Sequence, residues 1–327
     1  MTRTVHVSAP SRIHFGMFSF GDPAVRQFGG VGMMVGPPRL ELEATSADAF
    51  SAIGETADRA RDFAAQWAAS EGRRQPPACR IQIASSPPPH AGLGSGTQLA
   101  LSVAAALDAF VERRRRSGVE LAQAVGRAER SAVGTHGFST GGLLVDPGKA
   151  GEDRVAPVER RIDFPAPWRI LLITDVRQRG LSGSAERSAF AELPPVPRGV
   201  TAELREEVDQ RVLPACATAD FPTFSAGIYR YGHLAGTCFA ACQGGAYASP
   251  HLARLVELIR SLGVDGVGQS SWGPTLFAVL QGEEEAKALA AELQRRDELK
   301  GHTFTVTAGD NVGAVVEVVE SEGVTEE

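Results

Sequence analysis

The stretch Pro87-Pro88-Pro89-His90-Ala91-Gly92-Leu93-Gly94-Ser95-Gly96-Thr97 closes in alternate glycines and runs straight into an Ala/Leu-rich segment over 98–107. Glycine accepts positive φ and lets a backbone approach a ligand closely. The unpaired N–H groups of a helix's first turn, with the helix dipole behind them, favour a phosphate. Ser95 and Thr97 add hydroxyls at the entrance. The spacing is neither that of a P-loop nor G-x-G-x-x-G, so by itself the run reads equally as a glycine turn capping a buried helix. Arg12 and His14 stand two apart and share one face of a strand, a pairing that suits an anionic substrate or, equally, a solvated edge. Arg177 and Arg179 open a polar loop that reaches Glu186, and Gln269-Ser270-Ser271-Trp272 sits in a third small-residue loop over 263–274.

These groups need a scaffold. The chain has 327 residues, 43% hydrophobic and 22% charged, which suits a folded chain of two domains. A formal net charge of −6 gives no basic field for nucleic acid. No segment reaches the length of a membrane span, and the N-terminus lacks an apolar leader. The four cysteines lack metal-ligand spacing and read as buried free thiols of a cytoplasmic protein. The four arginines at 113–116 read as the solvated end of a helix.

Apolar periodicity predicts helices over 55–69, 119–130, 201–213, 222–240, 250–262 and 283–296. Alternation or short apolar runs predict strands over 5–16 (interrupted by a turn), 31–35, 39–44, 79–84, 143–146, 168–175, 275–280 and 302–307, with an acidic, weakly patterned tail. Strands and helices mix in both halves without strict βαβ alternation, which points to α+β. A charged, prolyl stretch over 148–167 sets the boundary between a domain at 1–164, holding the loop at 87–97, and a domain at 165–327.

The three loops resemble the motifs of the GHMP kinase superfamily. Ala9-Pro10-Ser11-Arg12 is similar to its N-terminal element, and Pro88 to Gly96 to its phosphate loop, with Gly96 in place of a second serine. Gly266 to Gly273 is similar to its C-terminal glycine motif. The resemblance implies a ribosomal-protein-like α/β N-terminal domain and a ferredoxin-like α+β C-terminal domain. Kinases of this superfamily that use an aspartate base carry S-G-x-D before a G-G strand; here that register reads Ser131-Ala132-Val133-Gly134, so the proton acceptor is missing. A kinase on the same fold, using ATP at the same loop, is the alternative reading.

Within the superfamily the sequence most resembles the β-ribofuranosylaminobenzene 5′-phosphate synthases. The resemblance rests on Ser11 to Gly16, Arg130 to Gly134, Arg179 to Gly183 with Glu186, Gln243-Gly244-Gly245, and Gly268 to Thr275. It implies phosphoribosyl pyrophosphate and 4-hydroxybenzoate or 4-aminobenzoate as substrates, pyrophosphate and CO2 as by-products, and a homodimer. Such a reaction needs donors and a cation at the leaving pyrophosphate. Gly92, Leu93, Gly94, Ser95, Gly96 and Thr97 are expected to supply donors. Mg²⁺ is the expected cation, with Ser95 as first ligand and Glu129 as second. Arg12, Arg177 and Arg179 are expected at the 5′-phosphate or carboxylate, and Gln269, Ser270, Ser271 and Trp272 in the cleft wall. His14, or Glu186 if burial raises its pKa, is the candidate for moving a proton at the para substituent.

Overall fold

A computed structural model describes residues 2–112 and 114–321. The first half comprises β1 (Thr2–Met17), β2 (Gly30–Ser46), β3 (Ser51–Ile53), α1 (Ala57–Ser70), β4 (Cys79–Ser85), α2 (Ser95–Glu112), α3 (Gly118–Ala124), α4 (Val133–Thr140), β5 (Leu143–Asp146) and β6 (Arg160–Ile162). There follow β7 (Arg169–Asp175), α5 (Gly183–Glu192), α6 (Arg198–Glu207), α7 (Leu213–Ala217), α8 (Phe221–Thr237), α9 (Ala240–Gln243), α10 (Pro250–Ser261), β8 (Val267–Gln269), β9 (Leu276–Leu280), α11 (Glu283–Gln294), β10 (His302–Gly309) and β11 (Val315–Ser321). A π-helical turn over Val208–Val212 joins α6 to α7 without a break in direction. The class is α+β.

One sheet runs through both halves in the order β11-β1-β2-β10-β7-β9-β8. The long β2 makes this continuity: it pairs along β1, then takes β5, β10 and β4 in succession on its other side. The division expected at 164/165 is therefore crossed by the chain's end, since β11 returns to pair antiparallel with β1 at the edge of the N-terminal sheet. The tail read as weakly patterned is that strand. Its valines at 315, 316, 318 and 319 lie among polar residues without a clean period of two, which hid it.

Three cores hold the layers. Beneath β1, β2 and β4 lie α1 and α2, and α2 is buried on nearly every side over Ser95 to Ala109. α1 contributes Ala60, Phe63, Ala64 and Trp67 at helical spacing. A second core packs α6 to α8 against β1, β2 and β7, and a third packs α10 and α11 on the other side of β7 and β9. The helix expected over 119–130 ends at Ala124, because Gly126 and Ala128 take φ of 60° and 61°, left-handed values that no helix continues. That early stop turns 126–131 into an irregular loop facing the cleft between the halves. Of the cysteines, Cys79 and Cys216 are buried as expected, whereas Cys242 is exposed; none is bridged.

Candidate active site

The glycine loop meets the first turn of α2 as the sequence suggested. Gly92 and Gly94 have φ of +82° and +70°. A Cβ on Gly92 would lie 2.3 Å from the Ser270 carbonyl oxygen, so only glycine fits. The Gly94 carbonyl accepts from the N–H groups of Thr97 (3.0 Å) and Gln98 (3.1 Å). The N–H groups of Ser95 and Gly96 have no backbone partner among the described residues, which leaves them free for an anion.

Around this loop stands a cleft of about 1000 Å³ lined by five arginines (Arg12, Arg59, Arg127, Arg130, Arg187) and two glutamates (Glu129, Glu186). Arg12, Arg59 and Arg127 have no carboxylate within ion-pair distance among the described residues. Arg12 makes one long bond, from Nη1 to the Gly92 carbonyl at 3.4 Å, and Arg127 donates to Thr97 Oγ1 at 3.1 Å. The Nε atoms of Arg12 and Arg127 are buried without partners. Burial pulls the Arg12 pKa down to about 10, with Glu186 opposing and Arg127 adding to the shift. Burial and the neighbouring Arg59 likewise lower that of Arg127. A polyanion fitted here would supply the missing acceptors.

His14 lies at the inner end. Its Nε2 is 3.1 Å from Ser131 Oγ, its N–H donates to Ser270 Oγ at 3.0 Å, and its carbonyl accepts from Ser271 N–H at 3.1 Å. Ser131 Oγ also accepts from the Val133 N–H at 3.3 Å, beside the buried Asp146 carboxylate, which accepts from the N–H groups of Ala132 (2.5 Å) and Gly148 (2.8 Å). His14 Nδ1 has no protein partner among the described residues. Burial, and then Arg12, hold the His14 pKa well below its usual value, so the ring is neutral at pH 7.

On the far side of His14 is an apolar cavity bounded by the end of β1, the C-terminal turns of α8, Phe239, Gln243, Tyr247 and the third loop. Trp272 walls it, packed edge-on against Phe239 and Phe190 at ring-centre distances of 4.9 and 5.4 Å. The Trp272 indole N–H donates to Glu186 at 3.0 Å, and Arg130 ion-pairs the other oxygen of that carboxylate. A polar compartment lined by Arg12, Arg127, Arg130, Ser131 and Glu186 connects cleft and cavity, and His14 and Ser271 line both that compartment and the cavity.

Both halves of the chain match known families. The GHMP kinases N terminal domain covers residues 57–142 and the GHMP kinases C terminal domain covers 212–298. Beta-ribofuranosylphenol 5′-phosphate synthase of Archaeoglobus fulgidus is 29% identical over 333 aligned positions, which span 96% of this chain and 100% of that protein. The protein of the same name from Methanothermobacter thermautotrophicus is 28% identical, spanning 94% and 97%. The chain belongs to the GHMP kinase superfamily. The fold agrees: the homoserine kinase of Cytophaga hutchinsonii superposes with a TM-score of 0.67 at 15% identity, over 96% of this chain and 97% of that one.

Seen as a GHMP protein, its motifs depart at two glycines. Gly96, in the second serine's place, stands beside the guanidinium of Arg59 from α1, with Nη2 2.6 Å from where a Cβ would lie, a mobile side-chain end that could yield to a larger residue. Gly134, in the register of the kinase aspartate, faces the site: a Cβ there would lie 3.5 Å from Gln98 Nε2 and 3.8 Å from Arg12 Nε. Space for a side chain exists, and the chain leaves it without a carboxylate.

The expected residues separate into several groups. Arg12, His14, Gly92, Gly94, Ser95, Gly96, Thr97, Glu186, Ser271 and Trp272 converge on the cleft and its two extensions. Leu93 does not: its side chain is core, and it serves through its carbonyl, which accepts from Arg12 N–H at 2.9 Å. Ser270 is a buried latch, donating to the Gly92 carbonyl at 2.7 Å. Gln269 lines only the apolar cavity. Arg177 points elsewhere, forked onto Asp175 at 2.8 and 2.9 Å, and is removed from the site. Arg179 is exposed beside His90 at the rim. Glu186 has both oxygens engaged by Arg130 and Trp272, so it anchors the wall instead of taking a proton. Arg59, Arg127, Arg130 as a cleft residue, and Asp146 escaped sequence reading. The compact run Gly126-Arg127-Ala128-Glu129-Arg130 abutting Ser131 was the available signal for two of them.

Proposed function

We propose that this protein is a decarboxylating phosphoribosyltransferase, a β-ribofuranosylphenol 5′-phosphate synthase that joins C1 of phosphoribosyl pyrophosphate to the carboxyl-bearing carbon of 4-hydroxybenzoate. The observation that carries this reading is the junction at His14: a cationic cleft whose Arg12 and Arg127 keep unpartnered Nε atoms opens there onto an apolar pocket walled by Phe15, Phe239 and Trp272. At that junction a polyphosphorylated sugar and a benzoate can meet. The relatives named above along nearly the whole chain support the same chemistry.

The leaving pyrophosphate takes the electron pair of its bond to ribose C1, and the Ser95 and Gly96 N–H groups with Arg12, Arg59 and Arg127 receive the charge that develops. The ring carbon supplies the electrons of the new C–C bond, and the electrons of the C–CO2 bond restore the aromatic ring. Attack at that carbon requires no ring proton to be removed, in keeping with glycine at 134. His14, neutral at the junction, stands beside the carboxyl-bearing carbon, where an uncharged ring sets no cation against the positive charge that develops at ribose C1. Among the described residues no three His, Cys, Asp or Glu side chains cluster as a cation cage. Ser95, held only by a 3.4 Å bond to the Pro88 carbonyl, and Glu129 on the cleft wall fit a Mg²⁺ carried mostly by pyrophosphate oxygens. Such an ion would add positive charge at the leaving group.

Incubation with phosphoribosyl pyrophosphate, Mg²⁺ and carboxyl-labelled 4-hydroxybenzoate tests the proposal. Pyrophosphate and labelled CO2 should appear in equal amounts. Their absence, with ADP released from ATP in the presence of a hydroxylated small molecule, would establish kinase chemistry instead.

A further inference from the structure

Away from the junction the apolar cavity carries a pair of amides, Gln243 and Gln269, and the hydrogen-bond network fixes their sense. The Ala248 N–H can only donate, and it donates to Gln269 Oε1 at 2.7 Å. Gln269 Nε2 must then be the atom that faces the Ser271 carbonyl, 2.8 Å away, and the Gln243 side chain, 3.4 Å away. Because Nε2 donates, Gln243 turns Oε1 toward it. That leaves the Gln243 Nε2–H2 group with no partner among the described residues, in a wall that also holds Phe15, Phe239, Trp272 and the Tyr247 hydroxyl, the last 3.5 Å from His233 Nδ1. Gln243 belongs to the part of this wall not shared with the cationic compartments, whereas His14 and Ser271 belong to the shared part. A benzoate whose carboxyl-bearing carbon lies at the junction therefore directs its para substituent away from the cleft, into the region Gln243 serves.

Resting on the function proposed above, we infer that this cavity is the aryl-acid subsite and that Gln243 selects an oxygen over an amine at the para position. A fixed N–H donor requires an acceptor. A phenol or phenolate oxygen keeps available lone pairs, whereas the nitrogen of a 4-aminobenzoate has its lone pair drawn into the ring and presents N–H groups that oppose the amide. Sites built around one hydrogen bond discriminate strongly because the mismatched ligand leaves a buried polar group unpaired. Gln243 is half-buried on the four-residue α9, so its replacement leaves the cores untouched.

The test compares kcat/KM for 4-hydroxybenzoate and 4-aminobenzoate in three proteins, and measures binding of both acids by calorimetry with ribose 5-phosphate and pyrophosphate present. The unaltered protein should prefer the hydroxy acid by about 100-fold or more. Gln243→Leu should bring the ratio within about ten-fold, and Gln243→Glu, an acceptor, should move it further toward the amino acid, both with KM for phosphoribosyl pyrophosphate unchanged. A ratio that stays constant across the three proteins overturns the inference while leaving the synthase reading intact. Absence of turnover in all three sinks the synthase reading, and the inference is then decided by binding: selective binding of the hydroxy acid lost in Gln243→Leu upholds it, and equal or absent binding overturns it.

Discussion

Two groups of arginines differ in what surrounds them. At the end of α2, Arg116 is almost enclosed, forked onto Asp108 at 2.6 Å through both Nε and Nη2 and bonded to Glu71 at 2.8 Å; Asp108 also accepts from the Trp67 indole N–H at 2.9 Å. These partners raise the Arg116 pKa against the opposing effect of burial. In the cleft, Arg12 and Arg127 are half-buried, with their Nε atoms enclosed and unpartnered and no carboxylate at ion-pair distance among the described residues. Their pKa values fall although Glu186 opposes the shift. The first group closes on itself and serves the fold. The second places uncompensated charge where folding alone would not favour it, the mark of a place built for an anion that arrives later. The comparison also corrects the reading of 113–116 as a solvated end. Arg116 is an interior clasp, Arg114 and Arg115 are exposed, and Arg113 lies outside the described residues.

The largest expected effect separates the groups by stability. Arg116→Met leaves the buried Asp108 with only the Trp67 indole, while Glu71 keeps Arg114, and removing one member of a buried charge network costs roughly 3–5 kcal/mol. Denaturant unfolding should show that loss, with KM for phosphoribosyl pyrophosphate unchanged at temperatures where the variant is folded. Arg12→Gln should do the reverse. Two charge-assisted contacts to the substrate's phosphates together amount to about 3 kcal/mol or more, so kcat/KM should fall by about 100-fold or more, while the unfolding midpoint holds or rises. Equal loss of stability in both variants would erase the distinction.

Pyrophosphate alone gives the next test. At 100 times its dissociation constant it should stabilise the protein by about 2.7 kcal/mol, seen as a raised melting temperature that shrinks with added salt as the cleft's charge is screened. The Arg116 variant should keep the gain and the Arg12 variant should lose most of it. Gly134→Asp tests the same charge from the other side. Its carboxylate would face Arg12 Nε, in the first turn of α4, where acids are favoured. Stability should rise slightly, and KM for phosphoribosyl pyrophosphate should rise by roughly ten-fold as the aspartate occupies the arginine. An unchanged KM would mean that Arg12 does not hold the substrate.

What was legible in the sequence follows the same division. The glycine loop could be read because a close backbone approach and positive φ restrict residue types, and Gly92 and Gly94 carry that restriction openly. Arg12 and His14 could be paired because a strand's period of two is local. Arg59 and Asp146 could not be read, since each reaches the site through tertiary packing from a different element and neither sits in a motif, and Arg127 had only its place in the short run before Ser131. Arg177 misled for the same reason: two residues from Asp175, it closes a local ion pair that spacing alone does not distinguish from a ligand-binding fork. The continuous sheet was hidden as well, because β11 pairs with β1 across the whole chain length.

The smallest effect concerns His14, which stands between the two kinds of environment: hydrogen-bonded to Ser131 on one side and facing the charge of Arg12 on the other. Burial and Arg12 lower its pKa in the folded protein, whereas an unfolded histidine titrates near pH 6.5. Below that pH the unfolded chain therefore binds more protons at this residue than the folded one. Stability from the neutral ring is complete above about pH 6.5 and declines as the pH falls toward the lowered folded value. His90 and His302 are shifted in the same direction, so the measurement is the difference between the protein and its His14→Gln variant, unfolded in denaturant from pH 7.5 down to pH 5. The variant should lose part of the acid slope. Its activity should also fall across the whole neutral range, because a ring already neutral at pH 7 gives the intact enzyme a flat profile there. An acid slope identical in protein and His14→Gln variant would remove the histidine from the junction's electrostatics and leave the arginines alone to define the site.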